Sequence, residues 1–172
     1  MTGASDCSSR PRLPHARLAW ALLAALSGGC GGARPTVALR DEGKGAAELR
    51  AMLADADPEV QARGALGLSR HGPAAKDAVP ELTPLLRSPS PLVRQNAALA
   101  LGAVGPDAAP AVPALTDALK DSEWAVRRQS ALALGAIGPA ARSAGPALKR
   151  LESDPQKPVR EAAKQAREKV GG

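Results

Sequence analysis

Residues 93–106 read Val93-Arg94-Gln95-Asn96-Ala97-Ala98-Leu99-Ala100-Leu101-Gly102-Ala103-Val104-Gly105-Pro106, and one interval later the chain repeats itself. The second copy is Val126-Arg127-Arg128-Gln129-Ser130-Ala131-Leu132-Ala133-Leu134-Gly135-Ala136-Ile137-Gly138-Pro139. Val60, Val93, Val126 and Val159 are spaced 33 residues apart, as are Leu66, Leu99 and Leu132, and Leu68, Leu101 and Leu134. Gly72-Pro73, Gly105-Pro106 and Gly138-Pro139 keep the same register, with Leu82, Leu115 and Leu148. A period of this length predicts a stacked array of supersecondary units, none of which can bury its apolar face alone.

Within one unit the spacing is helical. Val93, Ala97, Leu101 and Val104 fall at separations that line one face of a helix. Ser90 stands where a side chain can cap that helix, and Pro91 suits its first turn, where a backbone N–H has no intrahelical partner. Gly105-Pro106 is read as the stop, with glycine taking the left-handed C-terminal geometry and proline unable to continue. A shorter helix follows on Val112, Leu115, Ala118 and Leu119, with Pro113 in its first turn. The pair recurs as Val60–Arg70 with Val79–Leu86, and as Val126–Ile137 with Pro146–Leu151. Pro84 should kink or shorten its helix.

The composition agrees with an all-α fold. There is no Phe or Tyr, and Trp20 and Trp124 are the only aromatics, so a core must be filled by Leu, Val, Ile and Ala. That set suits closely spaced helices better than a sheet. The formal charge is +6, and the positive and negative residues are interspersed, as on a solvated helical surface. Cys7 and Cys30 both precede the repeats, so no disulfide framework supports the array.

The amino terminus reads as an export signal. Arg10, Arg12 and Arg17 precede the apolar run Leu18–Leu26, which ends in Ser27-Gly28-Gly29-Cys30. The run is about half the roughly 20 residues a membrane span requires. The small residues before Cys30 resemble the lipobox of bacterial lipoproteins, although Ser27 stands where Leu is usual and Leu26 lies one place earlier. The resemblance implies removal of residues 1–29, acylation of Cys30 and anchoring to a membrane, facing the periplasm. Gly31 in place of Asp points to the outer membrane. Cleavage near Ala33, giving a soluble exported protein, is the alternative. Residues 30–45 are glycine-rich and aperiodic and read as a tether. Gly43-Lys44-Gly45 lacks the rest of a phosphate loop.

Val93–Pro106, Trp124–Gly138, and the Val-Pro-x-Leu runs Val79-Pro80-Glu81-Leu82 and Val112-Pro113-Ala114-Leu115 are similar to HEAT repeats of the phycobilisome-lyase type. That resemblance implies a right-handed α-solenoid of about four helix pairs over 46–172, with repeats near 46–72, 76–105, 109–138 and 142–171. Each would consist of a short helix, a turn containing Asp, and a longer helix. In the last helix Lys164, Gln165 and Arg167 replace Ala131, Leu132 and Leu134, as expected where nothing stacks beyond.

Two sets of residues are candidates for function. Arg94, Arg127 and Arg160 share one repeat position, and Asp55, Asp121 and Asp154 share another; Gln61 and Ser88 break the two series. The resemblance implies a structural ladder built on Arg94, Arg127, Arg160, Asp121 and Asp154; an anion-binding stripe is the other reading. The second set is the helix face left over once the core is assigned. It carries Arg63, Leu66 and Arg70, then Leu92, Gln95, Asn96 and Leu99, then Arg128, Gln129 and Leu132. The resemblance makes this the concave face, where a protein or peptide would bind. Leu66, Leu99 and Leu132 either form an exposed apolar strip, the mark of a partner site, or pack between helices. Trp124 is expected to pack over its own repeat, with an interface anchor as the alternative.

Chemistry is poorly represented. His71 is the only histidine after the signal, so neither a metal set nor a Cys–His pair is available in the mature chain, and no metal or cofactor is expected. Metal hydroxylases built on such repeats use several His–Glu pairs, which this chain does not have. Nucleic acid is disfavoured by the small basic excess and the missing aromatic platform. The reading is a non-enzymatic, membrane-anchored scaffold that binds a protein or peptide. A bilin-lyase-like enzyme or subunit and a plain structural spacer are the alternatives.

Overall fold

Eight helices account for the array. The computed structural model describes residues 43–171, and every regular element among them is helical. Four short helices, α1 (Ala46–Met52), α3 (Val79–Leu85), α5 (Val112–Ala118) and α7 (Gly145–Leu151), alternate with four long ones. The long helices are α2 (Pro58–His71), α4 (Pro91–Val104), α6 (Trp124–Ile137) and α8 (Lys157–Val170), each of 14 residues. A 3-10 segment joins each long helix to the next short one: Gly72–Ala78, Gly105–Ala111 and Gly138–Ala144. The signal, Cys30 and most of the tether lie outside the described residues.

The long helices lie side by side in one layer, and each short helix backs onto the long helix that follows it. Between the layers run Leu49, Leu68, Leu82, Leu101, Leu115, Leu134 and Leu148, all fully buried. These are the repeat-register leucines, so one stripe per helix becomes a continuous core; each contributes roughly 1.5–3 kcal/mol by leaving water. Long helices approach closely because small residues face each other. A methyl built on Gly102 would stand 3.1 Å from Ala133 Cα, and one on Gly135 would stand 2.9 Å from Ala166 Cα.

Three local details differ from the expectations above. Gly72, Gly105 and Gly138 do take positive φ, but their ψ values are −133°, −137° and −139°, which is not the left-handed helical region. The reason is the proline that follows each, since its ring disfavours helical ψ in the preceding residue. Gly171, which no proline follows, is left-handed at φ 92° and ψ 49°. Ser90 occupies the N-cap position with extended backbone, but its side chain caps nothing; its N–H instead donates to Ser88 Oγ at 3.3 Å. Asp57 is the N-cap residue whose carboxylate does accept, from the Glu59 N–H at 2.8 Å. Pro84 ends up in the last turn of the seven-residue α3, and the carbonyl it fails to serve belongs to Pro80, which is exposed. α3 is as long as α1, α5 and α7, so Pro84 neither shortens nor kinks it.

Candidate functional site

On a helix of 3.6 residues per turn, positions 2, 5, 9 and 13 share one face. In α4 these are Leu92, Gln95, Leu99 and Ala103, and in α6 Ala125, Arg128, Leu132 and Ala136; none of the eight is buried. They form the free face of the long-helix layer. The same register in α2 holds Glu59, Ala62, Leu66 and Arg70, and in α8 Pro158, Glu161, Gln165 and Lys169. Apolar surface is therefore concentrated on the two central helices, with charge on the helices either side. Leu66, Leu99 and Leu132 are half-buried, and Leu132 also packs against the core. Leu132 lines a depression of about 120 Å³ with Arg128, Pro158, Glu161, Ala162 and Gln165.

Position 6 does not belong to this face. Asn96 is 7% exposed and donates from Nδ2 to the Ala62 carbonyl at 2.9 Å, tying α4 to α2. Arg63 and Gln129, at the same register, are half-buried. Position 6 lies about 60° around the helix from the centre of the free face, and that angle turns it toward the preceding long helix. Asn96, expected on the partner surface, therefore lies about one-sixth of a turn away from it. Leu92, on the free face, is 53% exposed, the most exposed large apolar residue described. Trp124, expected to pack over its repeat, leaves a large part of its ring in solvent. It is 44% exposed in a register where Pro58, Pro91 and Lys157 are exposed too.

The charged residues form a ladder between repeats. Arg94 donates from Nε to Asp121 Oδ2 at 2.7 Å and from Nη2 to Oδ1 at 2.8 Å. Its Nη1 bonds to the carbonyls of Ser88 and Pro89 in its own turn, at 2.9 and 3.2 Å. Arg127 reproduces the arrangement on Asp154, at 2.8 and 3.1 Å, with Nη1 on the carbonyls of Asp121 and Ser122. Each acceptor carboxylate also takes a backbone N–H two residues on, Glu123 for Asp121 and Gln156 for Asp154. Burial works against the charged form of Asp121, but the Arg94 fork, the Glu123 N–H and the charges of Arg94 and Arg127 outweigh it, so its pKa lies below the usual value. The Arg127 fork likewise lowers Asp154.

The partner of each ladder arginine lies 27 residues ahead. Gln61 and Ser88 stand 27 apart, so the two interruptions seen in the sequence are a single event at the first junction, where both partners are neutral. Gln61 there bonds to the Asp55 carbonyl at 2.7 Å. That junction is tied instead by Asn96 and by an ion pair between Arg50 and Glu81.

Outside the long-helix layer, an open groove of about 740 Å³ runs between α3 and α5. Pro80, Thr83, Pro84, Pro110 and Pro113 line it, with Arg87 and Asp117 paired at 3.3 Å. Sequence reading missed it; the signal was the prolines on the exposed side of both short helices. No group of three or more His, Cys, Asp or Glu is brought together among the described residues.

A layer of parallel-register helix pairs with an exposed strip and no clustered reactive groups defines an α-solenoid repeat protein. The chain belongs to the HEAT-repeat family, whose pattern matches residues 46–112 and 107–167. An engineered protein of known structure is 25% identical with a TM-score of 0.64, covering 73% of this chain and 62% of its own. Human deoxyhypusine hydroxylase, solved in complex with glycerol, is 31% identical (TM-score 0.57) over 75% of this chain and 44% of its own length. The complex of CpcE and CpcF of phycocyanin lyase from Nostoc sp. PCC7120 shares the fold at 21% identity and a TM-score of 0.56, over 70% of this chain and 78% of that one. A comparison with curated proteins finds no match. The chain thus spans about three-fifths of the engineered protein it resembles.

Proposed function

We propose that this solenoid is a non-catalytic scaffold that binds a protein or peptide segment along the free face of α4 and α6. We infer also that it is exported and held at a membrane through an acylated Cys30. One observation carries the binding reading: Leu92, Leu99, Ala103, Leu132 and Ala136 form an exposed to half-exposed apolar strip across two adjacent helices. A strip of this kind, bordered by Arg128, Arg70 and Glu161, offers an apolar segment a place to bury and a charged rim to set its register. The likeness to repeat scaffolds supports a binding role. The export reading rests on the basic, apolar and small-residue order that precedes Cys30.

A photo-crosslinking residue at position 92 or 136, in cells expressing the full chain, tests the binding face. Discrete adducts are expected at these positions and not at Pro113 on the opposite layer. Leu99→Asp should remove the adducts while the melting temperature stays near wild type. If Leu99→Asp instead collapses the melt, the strip is core and the proposal fails. Cys30→Ser should move the protein from the membrane fraction to the soluble one.

A further inference from the structure

Arg160 is the third rung of the ladder, and among the described residues nothing accepts from its Nε or Nη2. Its Nη1 is clipped to its own turn as in the other two, donating to the carbonyls of Asp154 and Pro155 at 2.8 and 3.0 Å. In Arg94 and Arg127 the same clip leaves Nε and Nη2 aimed at the carboxylate of the next repeat, and both oxygens are taken. We propose that Arg160 is a pre-oriented receptor for a partner's carboxylate, specifically an aspartate held in a turn on a short acidic segment of another protein.

The two filled rungs define the occupant. In each, the aspartate presents both oxygens to Nε and Nη2 of the guanidinium while Oδ1 also accepts the N–H two residues on. Planar, bidentate pairing is what a fixed guanidinium fork selects. Because the Nη1 clip already holds the fork, little side-chain freedom remains to be lost on binding. Lys157, one turn before Arg160, and Lys164, one turn after it, are exposed; Lys157 lies 3.7 Å from Glu161, and α8 as a whole carries more basic than acidic residues, which favours an acidic segment.

A second copy of the chain, stacked in array register, does not fit. Its Asp55 sits in the same kind of turn, accepting the Asp57 N–H at 2.8 Å. But Glu168 and Lys164 of α8 stand where the inner helices carry Gly102 or Gly135 and Ala98 or Ala131. At the inner spacing even a methyl on Gly135 comes within 2.9 Å of the neighbouring backbone, so Glu168 keeps another long helix away. A single turn can reach the fork without that helix.

The test uses the full chain, labelled for observation of arginine Nε–H signals by NMR. The probe is a capped peptide with the sequence of residues 151–158, which carries the Asp154 turn, and its Asp154→Asn version is the control. The aspartate peptide should shift the Arg160 Nε–H signal saturably, leave those of Arg94 and Arg127 unmoved, and bind about fivefold or more tightly than the control. Arg160→Lys, which keeps the charge and loses the fork, should abolish the difference between peptides. Equal shifts from both peptides, or none, would overturn the proposal, and this comparison needs only the wild-type fold. An equal response to inorganic phosphate at the same concentration would refute selection for a carboxylate. Self-association removed by Asp55→Asn would give the fork to a second copy instead. Because the fork lies off the leucine strip, crosslinking at position 92 can fail while this test succeeds, and the reverse.

Discussion

Asp121→Asn removes one charge from the ladder and leaves the turn intact. An amide oxygen can still accept the Glu123 N–H, which Asp121 Oδ1 takes at 2.9 Å. What it cannot do is receive both arms of Arg94, since its NH₂ group then faces one of them. The side chains of Arg94 and Asp121 are 13% and 10% exposed, so water does not fully replace the lost acceptor. Hydrogen bonds to charged groups contribute about 1.5–3 kcal/mol each. Removing one partner of a buried pair costs about 3–5 kcal/mol. With this much residual exposure the lower limit applies, and Asp121→Asn should destabilise by about 3 kcal/mol. Asp55→Asn is the built-in control: it has the same turn and no arginine among the described residues in bonding reach. Its cost should stay within about 0.5 kcal/mol, as at other exposed positions. Urea melts followed by far-ultraviolet circular dichroism on both variants give the difference directly. Equal losses in the two would show that the turn, and not the inter-repeat fork, accounts for the conservation of geometry along the ladder.

The missing rung can be supplied. Gln61→Arg together with Ser88→Asp should stabilise the chain by about 1 kcal/mol or more, with each single change neutral or harmful; a double-mutant cycle in the same melts reads the coupling. Acid should weaken the ladder in a defined direction. Asp121 and Asp154 titrate below the ordinary carboxylate value when folded, so the unfolded chain takes up protons first. Their contribution is complete above that ordinary value, about 4, and is lost as the pH falls through the depressed folded values. Melts between neutral pH and pH of about 2 should show this fall, and Asp121→Asn should flatten it.

Much of this was legible along the chain because helix formation obeys local rules. The valine and leucine registers pointed to the helices, Gly-Pro marked where α2, α4 and α6 end, and the polar residues of α8 set it apart from the inner long helices. The ladder positions were visible as two series, with their breaks at Gln61 and Ser88. That these two breaks are one junction was not visible, because a pairing across 27 residues depends on how far one repeat is displaced from the next. Leu99 and Leu132 lie half-buried on the unburied side of the long helices, whereas the Asn96 side chain turns to the Ala62 carbonyl.

Sequence alone therefore determined the repeat, its all-helical character and where the array is interrupted, since a periodicity of 33 leaves a stacked solenoid as the way to bury every stripe. Tertiary structure decided which side of each long helix meets its neighbour. Small residues let the helices approach until Gly102 and Gly135 touch the next backbone, and that approach rotates position 6 into the junction and leaves positions 2, 9 and 13 outside. It also decided which arginines are spent. Arg94 and Arg127 hold the next repeat, and Arg160, at the same repeat position and likewise preceded by Val, bonds to its own turn.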